Sequence, residues 1–178
     1  RKKNKEERLF KFKRPIWSNV NVVTHNVKGC SGKQSCKLDH IANMISKRDT
    51  PTIYLIQETW MSEDGITLID DVLFISHGYD KEPDEIRRAN GGVCIALSRA
   101  SQKAWKRAGQ PDPITPRKVA KTARNIGLEL HFLDSKGKII KLFVISTYLP
   151  CSTYSDNDFD ETLEQLQNII NQCPKDAI

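Results

Sequence analysis

The 178-residue sequence lacks the features that mark membrane, secreted and fibrous proteins. It has no apolar run near the roughly 20 residues that a membrane-spanning helix needs, and no secretory signal pattern opens it. It has neither the repeats of collagen nor those of a coiled coil, and its charged fraction of 28% is ordinary. We therefore expect one folded domain that has no membrane partner.

Cysteine is scarce, and its spacing excludes a disulfide scaffold. The five cysteines are Cys30, Cys36, Cys94, Cys151 and Cys173. They form no CxxC pair, and five intervening residues between the first two make poor zinc-ligand spacing. Four of the five lie in or beside apolar segments, and we expect them to be buried thiols. A reducing compartment, the cytosol or the nucleus, fits this cysteine usage best.

An initiator methionine is also missing, since the chain begins at Arg1. At the other end, Ala177 and Ile178 follow a predicted helix and look like the opening of another buried strand. A domain does not usually stop where a strand begins. We therefore expect a C-terminally truncated domain that belongs to a longer polypeptide.

The net charge of +6 comes entirely from residues 1–14, which hold eight of the 28 basic residues and two of the 22 acidic ones. We expect 1–14 to be a flexible basic leader and 15–178 to be one incomplete domain. Within that domain, segment 63–85 is acidic and segment 87–124 is basic. Two interpretations remain open: an asymmetric potential that attracts a polyanion, or two solvated loops that pair with each other.

Apolar patterns predict an α/β fold in which a layered β-sandwich is flanked by helices. Residues 19–27 and 52–58 each predict a buried strand, and 37–48 predicts the amphipathic helix that connects them. Strands are also predicted at 71–76, 92–98, 126–133 and 138–148, and a closing helix carries the apolar residues of 163–170. An Asp-Ser-Lys-Gly turn predicts that the last two strands form a hairpin.

Three polar features follow predicted strands, at the position where α/β folds place their sites. Asn26 ends the first strand, Glu58 ends the second, and Tyr148 ends the return strand of the hairpin. Glu58 offers the oxygen ligand that magnesium prefers, and Asn26 can bind a phosphate or orient that carboxylate. Each residue alone is common in a purely structural role, whereas the three together indicate a shared pocket.

Four segments in this order, THNVKG, YLIQETW, GGVCIAL and ISTYLP, resemble the endonuclease/exonuclease/phosphatase superfamily. The resemblance extends from about Val20 to Ile178 and is most specific at the QET tripeptide. It is greatest with the abasic-endonuclease-like and retrotransposon-type endonucleases. It implies a deoxyribonuclease-like fold, DNA as the substrate and Mg²⁺ as the cofactor, with Mn²⁺ as a substitute.

The resemblance also implies roles for individual residues. Asn26 and Glu58 match the residues beside the metal and the scissile phosphate, and Tyr148 matches a phosphate-contacting tyrosine. Gly91 and Gly92 match glycines that allow close backbone approach before a core strand. Arg124, more loosely, falls near basic residues that face DNA.

Basic residues of the 87–124 segment are expected to lie near the DNA backbone. Arg87 and Arg88 open this segment, and we expect them to bind the substrate if the domain acts on DNA. The same role would make binding dependent on salt, because phosphate contacts release counterions.

Two elements of the family pattern do not occur in these 178 residues: the Gly-Asp-x-Asn motif and the later Asp-His pair. We therefore expect the chain alone to be inactive or nearly so. A phosphomonoesterase of the same superfamily and a non-catalytic nucleic-acid-binding remnant remain as alternatives. A generic α/β domain with chance motifs is a further one. The sequence leaves the oligomeric state open.

Overall fold

The structure is a computed structural model, and it describes residues 19–30, 36–78, 91–116, 123–150 and 155–178. The leader and the segment with Arg87 and Arg88 lie outside the described residues. The described elements are β1 (Asn21–Asn26), α1 (Cys36–Ser46), β2 (Thr52–Gln57), β3 (Gly65–Ile69), β4 (Val72–His77), β5 (Val93–Leu97), α2 (Arg99–Arg107), β6 (Asn125–Leu133), β7 (Ile139–Thr147) and α3 (Asp156–Asn171).

Five of these strands form one mixed sheet in the order β1-β2-β5-β4-β3. β1 and β2 are parallel and pair from Asn21 opposite Thr52 to Asn26 opposite Gln57, whereas the other pairings are antiparallel. The predicted strand–helix–strand crossover is therefore confirmed, with α1 as the connecting helix. Because β1 and β2 are parallel, their C-terminal ends lie side by side at the same end of the sheet.

β6 and β7 form the predicted hairpin, which the structure shows as a second, two-stranded sheet. The turn closes through hydrogen bonds from Asp134 N to Lys138 O and from Gly137 N to Asp134 O. One face of the five-stranded sheet packs against this hairpin in a shared hydrophobic cluster. The other face packs against α1, so the larger sheet is flanked on both faces.

Side-chain alternation along β5 shows how one strand supplies both layers. Val93, Ile95 and Leu97 belong to the cluster shared with the hairpin, while Cys94 and Ala96 belong to the cluster under α1. All five are fully buried. Full burial contributes roughly 1.5–3 kcal/mol for each of Val93, Ile95 and Leu97, and with both clusters supplied by this one strand β5 is the centre of the core.

α3 follows the hairpin and leads the chain back to β7. Ser155 and Asp158 form a capping box at its start, and the buried Ile169 packs near its end. After the helix, Ile178 N donates to Lys141 O and Phe143 N donates to Ile178 O, which is the bonding pattern of a parallel neighbour of β7. No strand is assigned at 177–178, and Ile178 is exposed rather than buried as predicted.

The prediction that β1 is buried is wrong. Among the described strands β1 pairs only with β2 and lies at one edge of the sheet, and most of its residues are exposed. The prediction took all apolar residues of β1 to be buried. Val23 does pack against the α1 cluster, but Val22 is 52% exposed. The polar residues at the end of β1 are therefore exposed to solvent.

Two elements were not predicted. β3 lies in the acidic segment, where it forms a hairpin with β4 through a turn at Asp70 and Asp71, both with positive φ. α2 lies in the basic segment and buries only Ser101, Ala104 and Trp105. In the described parts of these segments, α2 carries basic residues, whereas the acids Glu63, Asp64, Asp70 and Asp71 lie in the turns before and after β3. Both interpretations of the charge asymmetry therefore stay predictions. Both were missed because neither has a long apolar pattern: β3 has only five residues, and α2 is rich in basic residues.

Within the described ranges, we find no helix with the length and apolarity required for a membrane span.

The expectation of four buried thiols is only partly correct. Cys30 and Cys94 are buried, Cys36 is exposed and Cys173 is half-exposed, while Cys151 lies outside the described residues. Burial raises the pKa of the Cys30 thiol to about 11, although the charge of Lys37 opposes this shift. Burial also raises the pKa of Cys94 far above its usual range.

Alkylation should therefore discriminate among these thiols. A raised pKa leaves less thiolate at a given pH, so Cys30 and Cys94 should resist iodoacetamide at about pH 8, whereas exposed Cys36 should react. Peptide mapping by mass spectrometry measures each site, and denaturant should release the two protected thiols. Equal native-state rates for Cys30 and Cys36 would contradict the burial described here.

Candidate active site at the end of the parallel strands

The parallel pair β1–β2 brings two predicted site residues into direct contact. Asn26 Nδ2 donates a hydrogen bond of 2.7 Å to Glu58 Oε1. The amide of Asn26 is itself held, because Lys28 N donates to its Oδ1 at 3.1 Å. Asn26 is exposed and Glu58 is half-buried. In this structure Asn26 thus orients the carboxylate, which is one of the two roles that the sequence left open.

The segments that follow β1 and β2 are joined by their backbones. Gly29 N donates to Glu58 O at 2.6 Å, and Cys30 N donates to Thr59 O at 2.9 Å. A Cβ placed on Gly29 would overlap atom Cε3 of the Trp60 ring, and the φ of Gly29 is +87°. The glycine of THNVKG and the tryptophan of YLIQETW are therefore packing partners, which explains the positions of both in their motifs.

The segment after β2 is also joined to the start of β5. Thr59 N donates to Gly92 O at 3.0 Å, and Trp60 N donates to Gly91 O at 2.9 Å. A Cβ on Gly92 would overlap Thr59 Oγ1, so the close approach expected before this core strand is present there. At Gly91 the nearest atom to an added Cβ lies 3.7 Å away, and the φ of +125° is what requires glycine.

These bonds hold an unfavourable backbone conformation at the site. Glu58 and Trp60 both have a φ of +55°, in the left-handed region that residues other than glycine rarely adopt. Such a conformation persists only where the surroundings impose it, and it occurs often at functional sites. The backbone bonds on both sides of the Glu58–Trp60 segment supply that constraint.

Tyr148 lies at the same end of the molecule, just beyond β7. Ser146, two residues earlier, lies 3.4 Å from the side chain of Gln57 (Oγ to Nε2), which directly precedes Glu58. Tyr148 is half-buried and packs against the cluster between the sheet and the hairpin. The structure thus places the three predicted catalytic residues at the end of the fold where β1, β2 and β7 all terminate.

Arg124 contacts Tyr148 twice. Its backbone carbonyl accepts from Tyr148 N at 2.9 Å, and its guanidinium carbon lies 5.1 Å from the centre of the Tyr148 ring. The side chain of Arg124 is fully buried. The predicted substrate-binding arginine therefore faces the tyrosine rather than solvent in the described structure, and a role toward DNA stays a prediction.

The charge of Arg124 also reaches the start of α3. The pKa of Asp158 is lowered chiefly by hydrogen bonds from the Ser155 side chain and backbone, and the positive charge of Arg124 adds to this effect. An ionised Asp158 favours the helix N-terminus that it caps. Arg124 is thus a buried residue whose side chain lies over Tyr148 and whose charge acts on the first turn of α3.

An Asp–His pair at the same edge of the sheet was missed by the sequence analysis. His77 ends β4, and its Nδ1 lies 2.8 Å from Asp64 Oδ1, which also accepts from Gly78 N at 3.0 Å. His77 and Gln57 both pair with Val93, so the pair and Glu58 lie toward the same edge. Only the register of the sheet brings Asp64, 13 residues earlier, to His77.

The donors at this edge suit a weakly held, hydrated cation better than an enclosed one. Among the described residues, no cluster of three or more His, Cys, Asp or Glu side chains is arranged to hold a metal ion. Glu58 provides one carboxylate beside the amide of Asn26. Mg²⁺ commonly binds through one or two carboxylates and retains several waters, so this donor set fits it and does not form a complete cage.

Replacement of Gly29 by alanine should test the contact between the two motifs. Gly29→Ala should be less stable than Gly109→Ala by about 1–3 kcal/mol, because only the former forces a side chain into Trp60. The control is matched, since Gly109 has a φ of +90° and no atom within 4 Å of an added Cβ. Urea unfolding measures both variants.

Trp60→Leu in the Gly29→Ala background should recover part of the loss, because it removes the overlapping ring atoms. Equal destabilisation by Gly29→Ala and Gly109→Ala would show that the overlap is absent in solution.

Comparisons with known proteins assign no family. No family model matches the sequence, and no curated protein matches it significantly. Among solved structures, the chain is similar to one described as the crystal structure of the Xenopus laevis APE2 catalytic domain, with 12% identity and a TM-score of 0.47. The match covers 83% of this chain and 49% of the other, so this chain spans about half of that length. Similarity at this level assigns no function, and the inferences about this chain rest on its own residues.

Proposed function

We propose that this chain provides the metal-binding and phosphate-contacting part of a site that hydrolyses phosphodiester bonds in DNA. The observation that carries the proposal is the 2.7 Å contact between Asn26 and Glu58 where two parallel strands end. A half-exposed carboxylate in a fixed orientation beside an exposed amide suits a hydrated cation and its phosphate ligand.

Glu58 is the residue proposed to hold Mg²⁺, or Mn²⁺ in its place. Bound there, the ion would supply Lewis-acid polarisation of a phosphate oxygen. Asn26 keeps Glu58 in one orientation by donating to Oε1, and Lys28 N keeps Asn26 in place. An orientation fixed before the substrate arrives costs no reorganisation during the reaction.

Tyr148 is the residue proposed to donate a hydrogen bond to the phosphate. The Arg124 guanidinium lies over the Tyr148 ring. A cation at the ring face draws electron density away from the phenol oxygen, so the hydroxyl becomes a stronger hydrogen-bond donor. Arg124 thereby acts through Tyr148 and adds positive potential beneath the phosphate position.

The finer assignments belong to the same proposal. They are a deoxyribonuclease-like sandwich, membership of a retrotransposon-type polyprotein and a nuclear location. The resemblance of the four motifs supports them, as does the basic segment with Arg87 and Arg88, which would lie near the DNA backbone. Arg87 and Arg88 lie outside the described residues, so the support that they give comes from the sequence alone.

Water activation is the part of the reaction for which this chain has no assigned group. Neither the family's Gly-Asp-x-Asn motif nor its later Asp-His pair occurs in the residues that follow the ISTYLP segment. General-base catalysis contributes about 10²–10⁴-fold to such reactions. Plasmid nicking by this chain alone should therefore be near background.

Metal titration of the purified chain tests the proposal. Glu58→Gln should weaken Mn²⁺ binding about tenfold or more, because it removes the only carboxylate assigned to the cation. Glu63→Gln is the matched control, since it makes the same charge change at an exposed acid five residues away. Isothermal titration calorimetry measures both variants against the unmodified chain.

The class of substrate is tested by measuring how well inositol phosphates compete with duplex DNA for binding to the metal-loaded chain. Duplex DNA should bind with an affinity that falls as salt rises, and inositol phosphates should compete poorly. Strong competition by inositol phosphates would favour the phosphomonoesterase. Equal Mn²⁺ affinity in Glu58→Gln and Glu63→Gln would contradict a metal site at Glu58 and would favour the non-catalytic remnant.

A further inference from the structure

A polar network that is buried at Gln57 and Ser146 and exposed at Thr24 connects the three strands that carry the candidate site. Gln57 Oε1 accepts from Thr24 Oγ1 at 3.2 Å, and Gln57 Nε2 lies 3.4 Å from Ser146 Oγ. Ser146 Oγ in turn donates to Ile56 O at 3.2 Å. We call the three side chains of Thr24, Gln57 and Ser146 the inter-sheet bridge, because they join β1 and β2 of the larger sheet to β7 of the hairpin.

The hydrogen-bonding capacity of the bridge is well used. The Gln57 amide donates one proton to Leu55 O at 2.9 Å and directs the other at Ser146 Oγ, while its carbonyl accepts from Thr24. Gln57 is 9% exposed and Ser146 is fully buried. In such surroundings a satisfied network fixes one arrangement of the strands, and the loss of one partner leaves another buried group unpaired.

Each member of the bridge lies one or two residues before a candidate site residue. Thr24 lies two residues before Asn26 on the same face of β1, and Gln57 directly precedes Glu58. Ser146 lies two residues before Tyr148 on the return strand of the hairpin. A displacement of β7 relative to β2 would therefore move Tyr148 relative to the Asn26–Glu58 contact.

We propose that the inter-sheet bridge is a positioning device, in which Gln57 and Ser146 set the placement of Tyr148 relative to Asn26 and Glu58. Neither residue contacts the phosphate or the cation; both act through the neighbouring site residues. The role assigned to the site rests on the proposed function, whereas the positioning itself is a property of the fold that can be measured separately.

A second buried serine provides a matched control. Ser101 Oγ donates to Thr52 O at 3.0 Å, and Ser101 is fully buried. Ser146 and Ser101 thus make the same kind of bond to the backbone of β2, one near its site end and the other at its start. Ser146→Ala and Ser101→Ala should reduce the free energy of unfolding by similar amounts. A change at the candidate site in Ser146→Ala alone would therefore come from the position of Ser146 and not from a general loss of stability.

The first measurement needs no metal and no substrate. In chain labelled with ¹⁵N and ¹³C, the side-chain amide resonance of Asn26 reports its bond to Glu58, and the aromatic ¹H–¹³C resonances of Tyr148 report the ring. Ser146→Ala and Gln57→Met should shift both sets, whereas Ser101→Ala should leave them in place. Unchanged resonances in Ser146→Ala, or equal shifts in Ser101→Ala, would overturn the proposal.

The second measurement connects the bridge to the site. Mn²⁺ affinity should fall about tenfold in Gln57→Met, as for other groups that orient a metal ligand, and should not change in Ser101→Ala. If the unmodified chain does not bind Mn²⁺, the proposed function fails, while the resonance shifts still decide the positioning role. Resonance shifts in Gln57→Met with unchanged Mn²⁺ affinity would overturn its role in positioning the metal ligand.

Discussion

The conformation of the segment after β2 is the constraint on which the candidate site depends. Glu58 and Trp60 adopt a left-handed backbone that is intrinsically unfavourable for their side chains. Hydrogen bonds to Gly29 and Cys30 on one side, and to Gly91 and Gly92 on the other, impose this conformation. Glu58 consequently projects beside Asn26, so the carboxylate is oriented by the backbone of three separate chain segments.

The packing of the fold concentrates polar groups at one end. Between the sheet and the hairpin the cluster is apolar, and β5 supplies residues to both layers. Toward the strand ends this packing gives way to the side chains of Gln57 and Ser146, and then to Tyr148 over the buried charge of Arg124. The candidate site thus adjoins a rigid core, which keeps its groups in fixed positions.

The sequence predicted the elements whose hydrophobic pattern is simple. The crossover of β1, α1 and β2 and the β6–β7 hairpin were predicted, because each combines apolar periodicity with a recognisable turn or connection. β3 and α2 were missed because they lie in charged segments and bury few side chains. The exposure of β1 could not be predicted either, since it depends on the order of strands in the sheet.

The same distinction applies to the site. Asn26, Glu58 and Tyr148 were identified from their positions after strands and from the family resemblance, and the structure places them at one end. The Asp64–His77 pair and the burial of Arg124 follow from sheet register and packing, for which the sequence has no local signal. Long-range contacts of this kind appear only after the strands are paired.

Paramagnetic relaxation by Mn²⁺ in ¹⁵N-labelled chain is the most direct test of the central claim that Asn26 and Glu58 form a cation site. The account predicts that line broadening is centred on the Asn26 side-chain amide and the backbone amides of 58–60, and that Glu58→Gln strongly reduces it at the same Mn²⁺ concentration. Broadening centred on the acidic Asp70–Asp71 turn, or equal broadening in Glu58→Gln, would contradict the account.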